Sequence, residues 1–113
     1  MTAPASKPGR ENEMAIYQTG AYRVKPAAVE KIRRAIAEFV DHVKANEPGS
    51  QMYLAWQEQD DPTRFLHLFI FADAAARQRH SQSEAVKRFQ AAYTAELVEG
   101  VVFTEYEMVA GKR

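Results

Sequence analysis

The sequence has no cysteine among its 113 residues. Disulfide scaffolds, thiolate metal sites and cysteine nucleophiles are therefore excluded. An excess of one charge is also lacking, because 15 Lys and Arg balance 15 Asp and Glu. Binding of duplex nucleic acid depends on concentrated positive charge, so the balance argues against a nucleic-acid partner.

Long hydrophobic runs are missing as well. No segment approaches the roughly 20 apolar residues of a membrane span, and the first dozen residues lack the apolar stretch of a secretory signal. We therefore expect a cytoplasmic protein with no membrane partner. The sequence has only five glycines and no glycine-rich phosphate loop, which argues against a nucleotide cofactor.

Hydrophobic residues make up 46% of the chain and aromatic residues 11%. Residues 1–13 are rich in Pro, Ala, Ser and charge without periodicity, which predicts a flexible N-terminal arm. That arm either stays free or docks on a partner subunit. Residues 14–110 are patterned throughout and predict one domain.

Hydrophobic spacing predicts the elements of this domain. Strands are expected over 15–24, 51–59, 64–71 and 101–109. One helix is expected from Pro26 to Asn46, and a second from the Asp73 N-cap to Gly100 with a break near 80–83. The order predicts an α+β, ferredoxin-like βαββαβ fold, with two helices on one face of a four-stranded antiparallel sheet.

The strand over 64–71 is apolar on both faces, whereas a half-solvated strand alternates apolar and polar residues. Two helices cover only one sheet face, so the other face needs a cover. A second copy of the chain packed sheet to sheet is the simplest cover and predicts a homodimer, a dimeric α/β barrel. The alternative cover is the N-terminal arm or the second helix.

The turn Asp60–Thr63 predicts a hairpin between the two middle strands. If this turn pairs Gln59 with Arg64, one row of side chains shares a face. That row is Met52, Leu54, Trp56, Phe65, His67, Phe69 and Phe71. A slip of one residue would exchange the two faces of the second strand.

The chain resembles the antibiotic biosynthesis monooxygenase family over about 14–109. The similarity is carried by Pro48-Gly49 after the first helix, the Asp61-Pro62 turn, a hydrophobic strand that ends at Phe71, the Asp73–Ala76 helix start, and His80. It implies dimeric α+β barrels, which include cofactor-free oxygenases of phenols and quinols and haem-degrading enzymes.

The sequence departs from the family pattern at several positions. Phe69 stands where the family has an acidic residue, and Ala85 stands where a second His is often found. The haem-degrading branch has a Trp where this chain has Phe71, and an Asn for which Gln18 is the nearest polar candidate. Haem binding or degradation is therefore less favoured than action on, or binding of, a small aromatic ligand.

The resemblance places His80 in the cleft between helix and sheet, where an imidazole could accept a phenolic proton. The other interpretation of His80 is a cap at the helix break. His67 either contacts the ligand or is a satisfied core histidine. The three histidines fall on separate elements without ligand spacing, so no metal site is predicted.

The aromatic residues either line an apolar pocket for a flat ligand or simply fill the core. The residues predicted to bind substrate are Trp56, His67, Phe69, Phe71 and Phe89, and the predicted catalytic residue is His80. We expect a cofactor-independent monooxygenase that uses dioxygen on a small phenol-like or quinol-like aromatic. The alternative is a non-catalytic ligand-binding or regulatory dimer of the same fold.

Overall fold

The computed structural model describes residues 14–112. The arm predicted for residues 1–13 lies outside the described residues. The described chain forms β1 (Ile16–Val24), α1 (Val29–Asn46), β2 (Ser50–Gln57), β3 (Arg64–Phe71), α2 (Ala74–Ser81), α3 (Glu84–Tyr93) and β4 (Leu97–Tyr106). None of its helices is long and apolar enough to cross a bilayer.

The four strands form one antiparallel sheet in the order β2-β3-β1-β4. The helices cover one face of this sheet, which confirms the predicted ferredoxin-like fold. On β3 every second side chain is buried, beginning with Phe65 and ending with Phe71. The alternate side chains, which include Leu66, Leu68 and Ile70, are only partly buried. They lie on the open face, which is the side of the sheet away from the helices.

Local sequence explains where the helices begin and end. Pro26 opens a short 3-10 turn before α1, whose inner side buries Ile32, Phe39 and Val43. Asp73 caps α2, where its Oδ1 accepts a hydrogen bond from the Ala76 amide at 2.8 Å. Ser83 caps α3, where its hydroxyl accepts one from the Val86 amide at 3.2 Å. The predicted break between these helices is therefore present.

The predicted end of the second helix at Gly100 is wrong. Helix α3 ends at Tyr93, a 3-10 turn follows over Thr94–Glu96, and β4 begins at Leu97. Pairing with β1 explains the difference, because Val24 faces Leu97 and the Lys25 amide donates to the Glu96 carbonyl at 2.9 Å. These sheet hydrogen bonds override the helical spacing of the sequence and place Gly100 inside the strand.

The predicted hairpin is present, but its register differs by one residue. The Glu58 amide, not that of Gln59, donates to the Arg64 carbonyl at 3.0 Å. Asp61 fixes the turn, because its Oδ1 accepts from the Thr63 amide at 3.1 Å and from the Thr63 hydroxyl at 2.6 Å. The slip turns Tyr53 toward the helices, where it pairs with Phe69, and turns Trp56 toward the open face.

The turn after α1 packs tightly against α2. A Cβ added at Gly49 would lie 2.7 Å from the Ala76 Cβ, whereas one at Gly100 would meet nothing within 4 Å. We expect Gly49→Ala to lower the free energy of unfolding by about 1 to 3 kcal/mol, and Gly100→Ala to change it by less than about 0.5 kcal/mol. Urea unfolding at one fixed protein concentration measures both. Equal stability of the two variants would contradict the close approach.

Candidate functional site

A cleft of about 790 Å³ lies between the helices and the inner face of the sheet. Its walls come from β1, β2, β3 and β4 on the sheet side and from all three helices on the other. Aromatic rings dominate its inner part. Phe39 and Phe89 stack with ring centroids 5.0 Å apart, and Tyr53 stacks on Phe69 at 4.9 Å.

Five of the six predicted site residues line this cleft. They are His67, Phe69, Phe71, His80 and Phe89. Their roles in binding and catalysis stay predictions, because lining a cleft is compatible with core packing as well. The chain thus places two histidine rings and three phenylalanine rings around one cleft.

The predicted position of Trp56 in the cleft is wrong. Trp56 pairs with Leu66 on the open face of the sheet, and 51% of it is exposed. The cause is the hairpin register, which moves Met52, Leu54 and Trp56 to the face opposite to the predicted one. Tyr53 replaces it in the cleft and supplies both an aromatic ring and a hydroxyl group.

His80 forms a short contact with a carboxylate. Its Nδ1 lies 2.7 Å from Oε1 of Glu47, and the two side chains are only 11% and 13% exposed. Ser50 donates its hydroxyl to the same Oε1 at 2.9 Å, while Oε2 of Glu47 is buried without a partner in the described structure. The carboxylate fixes the orientation of the imidazole and leaves Nε2 as the ring nitrogen available for another group.

Glu47 was not predicted from the sequence. It directly follows α1, in the turn whose Gly49 carbonyl accepts from the Ala72 amide at 2.8 Å. His80 lies in the last turn of α2. The two residues meet because this turn packs on α2, and the only sequence signal was an acidic residue next to the Pro48-Gly49 stop.

His67 lies between two tyrosine hydroxyls in the middle of β3. Its Nε2 is 2.8 Å from the Tyr22 hydroxyl and its Nδ1 is 3.0 Å from the Tyr53 hydroxyl. His67 is only 3% exposed, and burial lowers its pKa to about 4. Burial likewise raises the pKa of Tyr22 and of Tyr53 above the ordinary phenol value. At neutral pH all three groups are therefore uncharged.

Arg77 lines the cleft, and its positive charge is paired with a carboxylate. The Arg77 guanidinium donates to Oε1 of Glu105 at 2.7 Å and to Oε1 of Gln18 at 3.3 Å. This ion pair is largely exposed, so its contribution to stability is small. Because Glu105 compensates the arginine, Arg77 adds no net positive charge to this part of the cleft.

Gly20 on β1 leaves a position without a side chain on the sheet side of the cleft. A Cβ built there would lie 3.2 Å from the ring of Phe103, which is the residue paired with Gly20 on β4. Phe103 also lines the cleft, although 59% of it is exposed. Glycine at this position lets the ring of Phe103 approach the sheet backbone closely.

Comparison with known proteins matches this chain to one family and one fold. The profile of the antibiotic biosynthesis monooxygenase family matches residues 15–92. No curated protein matches the sequence.

Solved structures share the fold at low sequence identity. A candidate antibiotic biosynthesis monooxygenase from Caulobacter crescentus superposes with a TM-score of 0.81 at 20% identity, covering 90% of this chain and 96% of its own. One from Bacteroides thetaiotaomicron gives 0.81 at 18% identity, covering 88% and 93%. A Pseudomonas aeruginosa protein gives 0.78 at 22% identity, covering 88% and 98%.

The buried His67 makes stability depend on pH. Its folded pKa of about 4 lies below the ordinary value of 6.5, so the unfolded chain binds the proton more tightly. The stabilisation is complete above pH 6.5 and is lost as the pH falls toward 4. Between pH 7.5 and pH 5 the loss is about 2 kcal/mol.

We therefore expect His67→Gln, which keeps one donor and one acceptor without titrating, to show a weaker pH dependence by about that amount. Urea unfolding at both pH values measures the difference. His42→Gln is the matched control, since within residues 14–112 the His42 side chain bonds to Asn46 of the same helix, and it should retain the slope of the wild type. Parallel curves for His67→Gln and the wild type would contradict a buried neutral His67.

Proposed function

The chain belongs to the antibiotic biosynthesis monooxygenase family, and from this premise we propose that its cleft binds a small phenol or quinol and oxygenates it with dioxygen. The observation that carries the proposal is the contact of 2.7 Å between His80 and Glu47 in an aromatic wall of the cleft. An imidazole held by a carboxylate is a general base suited to a phenolic proton.

His80 is proposed to act through its free nitrogen. Its Nδ1–H donates to Glu47, so Nε2 carries the lone pair and accepts the proton of the ligand hydroxyl. The imidazolium that forms is stabilised by the adjacent carboxylate, as in other acid–histidine pairs. Phe71 and Phe39 surround the imidazole at centroid distances of 5.1 and 5.6 Å. These rings keep water away and strengthen the ion pair.

The deprotonated ring supplies the electrons for dioxygen. A phenol and one dioxygen molecule balance to a quinone and one water, because one oxygen atom enters the ring and the other leaves with two hydrogens. This stoichiometry requires no external reductant, so the proposed reaction is independent of a cofactor. The protein contributes the base, the orientation of the ring and an apolar enclosure.

We expect His80→Gln to lower kcat for dioxygen uptake at least about 100-fold, because no base remains. Glu47→Gln keeps a hydrogen-bond acceptor but not the charge, so a smaller loss of kcat is expected. An oxygen electrode with a panel of phenols and quinols provides the measurement. His42→Gln, which lies outside the cleft, should retain wild-type activity.

Uptake by His80→Gln equal to that of the wild type would remove His80 as the base. No uptake by the wild type with any ring would remove the catalytic proposal. Thermal stabilisation by the same rings without uptake would favour the second candidate, a binding or regulatory protein. One observation supports that candidate: Phe69 and Ala85, which replace polar family residues, are 5% and 2% exposed in the core.

We further propose that a second copy of the chain covers the open sheet face. This face, defined here as the side of the sheet away from the helices, carries Met52, Leu54 and Trp56, which are 42%, 39% and 51% exposed. Leu66, Leu68 and Ile70 lie beside them on β3. An apolar patch of this kind on a small domain is typical of a protein interface, and an identical sheet matches its shape and polarity.

We expect Trp56→Glu to convert a dimer into a monomer, because it places a charge in the middle of the apolar contact. Sedimentation velocity over a range of concentrations measures the state. Ala37→Glu adds the same charge on the exposed side of α1 and should leave the dimer intact. A wild-type protein that sediments as a monomer throughout would contradict the proposed interface.

A further inference from the structure

The proposed base chemistry uses His80 and leaves the second histidine of the cleft without a role. His67 is buried with both ring nitrogens bonded to tyrosine hydroxyls that themselves line the cleft. No charged group contacts its ring among the hydrogen bonds and ion pairs of residues 14–112. A core packing role alone would not require a titratable ring hydrogen-bonded between two tyrosine hydroxyls.

The number of available hydrogen atoms limits how Tyr22, His67 and Tyr53 can bond to one another. A neutral imidazole has one N–H donor and one acceptor nitrogen. One tyrosine must therefore donate its hydroxyl proton to His67, and the other tyrosine must accept a proton from His67. The accepting tyrosine keeps its own hydroxyl proton for another partner, while the donating tyrosine offers only oxygen lone pairs. Moving the imidazole proton from one nitrogen to the other exchanges these roles.

Of the two tyrosines bonded to His67, Tyr53 is the one that lies beside His80. Its ring lies 5.7 Å from the ring of His80 and 4.9 Å from that of Phe69. Tyr22, by contrast, is 6% exposed and lies between the stacked rings of Phe65 and Tyr93, each 5.6 Å away. A ligand next to His80 therefore meets the hydroxyl of Tyr53 before that of Tyr22.

We propose that the tautomer of His67 sets whether Tyr53 donates or accepts a hydrogen bond in the cleft, so that one site holds a ring oxygen both as a hydroxyl and as a carbonyl. The inference rests on the proposed function, since it assumes an aromatic ligand beside His80. His67 is here a positioning residue, because it acts on the ligand through Tyr53.

The two states match the two oxidation levels of a quinol. A quinol has two hydroxyl protons to place, and the cleft then offers two acceptors: Nε2 of His80 and, with the His67 proton on Nε2, the Tyr53 oxygen. A quinone has carbonyl oxygens instead and needs a donor. With the His67 proton on Nδ1, Tyr53 accepts from His67 and donates its own proton to the carbonyl. The substrate class favoured by this arrangement is a ring with two oxygens rather than a monophenol.

The test is nitrogen NMR of the full chain labelled with 15N-histidine, at pH 7.5 under argon. The probes are 1,4-naphthoquinone and its quinol, 1,4-dihydroxynaphthalene, which share one skeleton. Since the chain has no cysteine, the quinone meets no thiol. We expect the quinone to move the His67 proton to Nδ1 and the quinol to move it to Nε2. His67→Gln identifies the resonances by their loss.

Two variants that each remove one hydroxyl beside His67 form a matched pair. Tyr53→Phe should abolish the response of the His67 tautomer to both ligands and weaken their binding about tenfold, the effect of one hydrogen bond. Tyr22→Phe should retain the opposite responses to quinone and quinol. Binding constants from calorimetry on the same samples complete the comparison.

Each outcome decides the inference. If both probes bind while the His67 tautomer stays the same or moves in one direction only, the inference is wrong and the proposed function stands. An equal loss of response in Tyr22→Phe and Tyr53→Phe would also overturn it, because Tyr53 would then have no special contact. If neither probe binds the wild type, the proposed ligand class fails and the inference fails with it.

Discussion

The alternation of side chains along β3 is the constraint on which the rest of the structure depends. This strand pairs with β1 on one side and with β2 on the other. Its inner row is buried beneath the helices and places His67 at the centre of the cleft, while its outer row leaves an apolar surface. A strand with this pattern requires cover on both faces. The helices cover the inner face, and the proposed second copy covers the open face.

Two histidines of the same cleft have opposite surroundings. His80 is held by the carboxylate of Glu47, which fixes the orientation of the ring. His67 is held by two phenols and is kept neutral by burial. In the proposed function the first environment serves proton transfer and the second serves hydrogen-bond recognition. The division follows from the elements, because His80 ends a helix next to a turn and His67 is in the middle of a sheet.

The order of elements and the fold were predictable from the sequence, because helical spacing, caps and turn residues are local signals. The positions of His80, Phe71 and Phe89 near one cleft followed from the same signals and the family resemblance. Trp56 was misplaced because a shift of one residue in the pairing at the Asp61 turn moves it to the other face of the sheet. Glu47 and the partners of His67 were not found, because they meet their histidines only through tertiary packing across 14 to 45 residues of chain.

The glycine in the floor of the cleft has a consequence for communication across the sheet. Gly20 leaves the ring of Phe103 as the inner surface of β4, and β4 is an edge strand with one row of backbone groups unpaired within residues 14–112. The same strand therefore borders the ligand space on its face and offers hydrogen-bonding groups along its rim. A segment that added to this rim would form hydrogen bonds with the backbone of the strand that carries Phe103. Occupancy of the edge and the width of the binding space would then be thermodynamically linked, with no helix required to move.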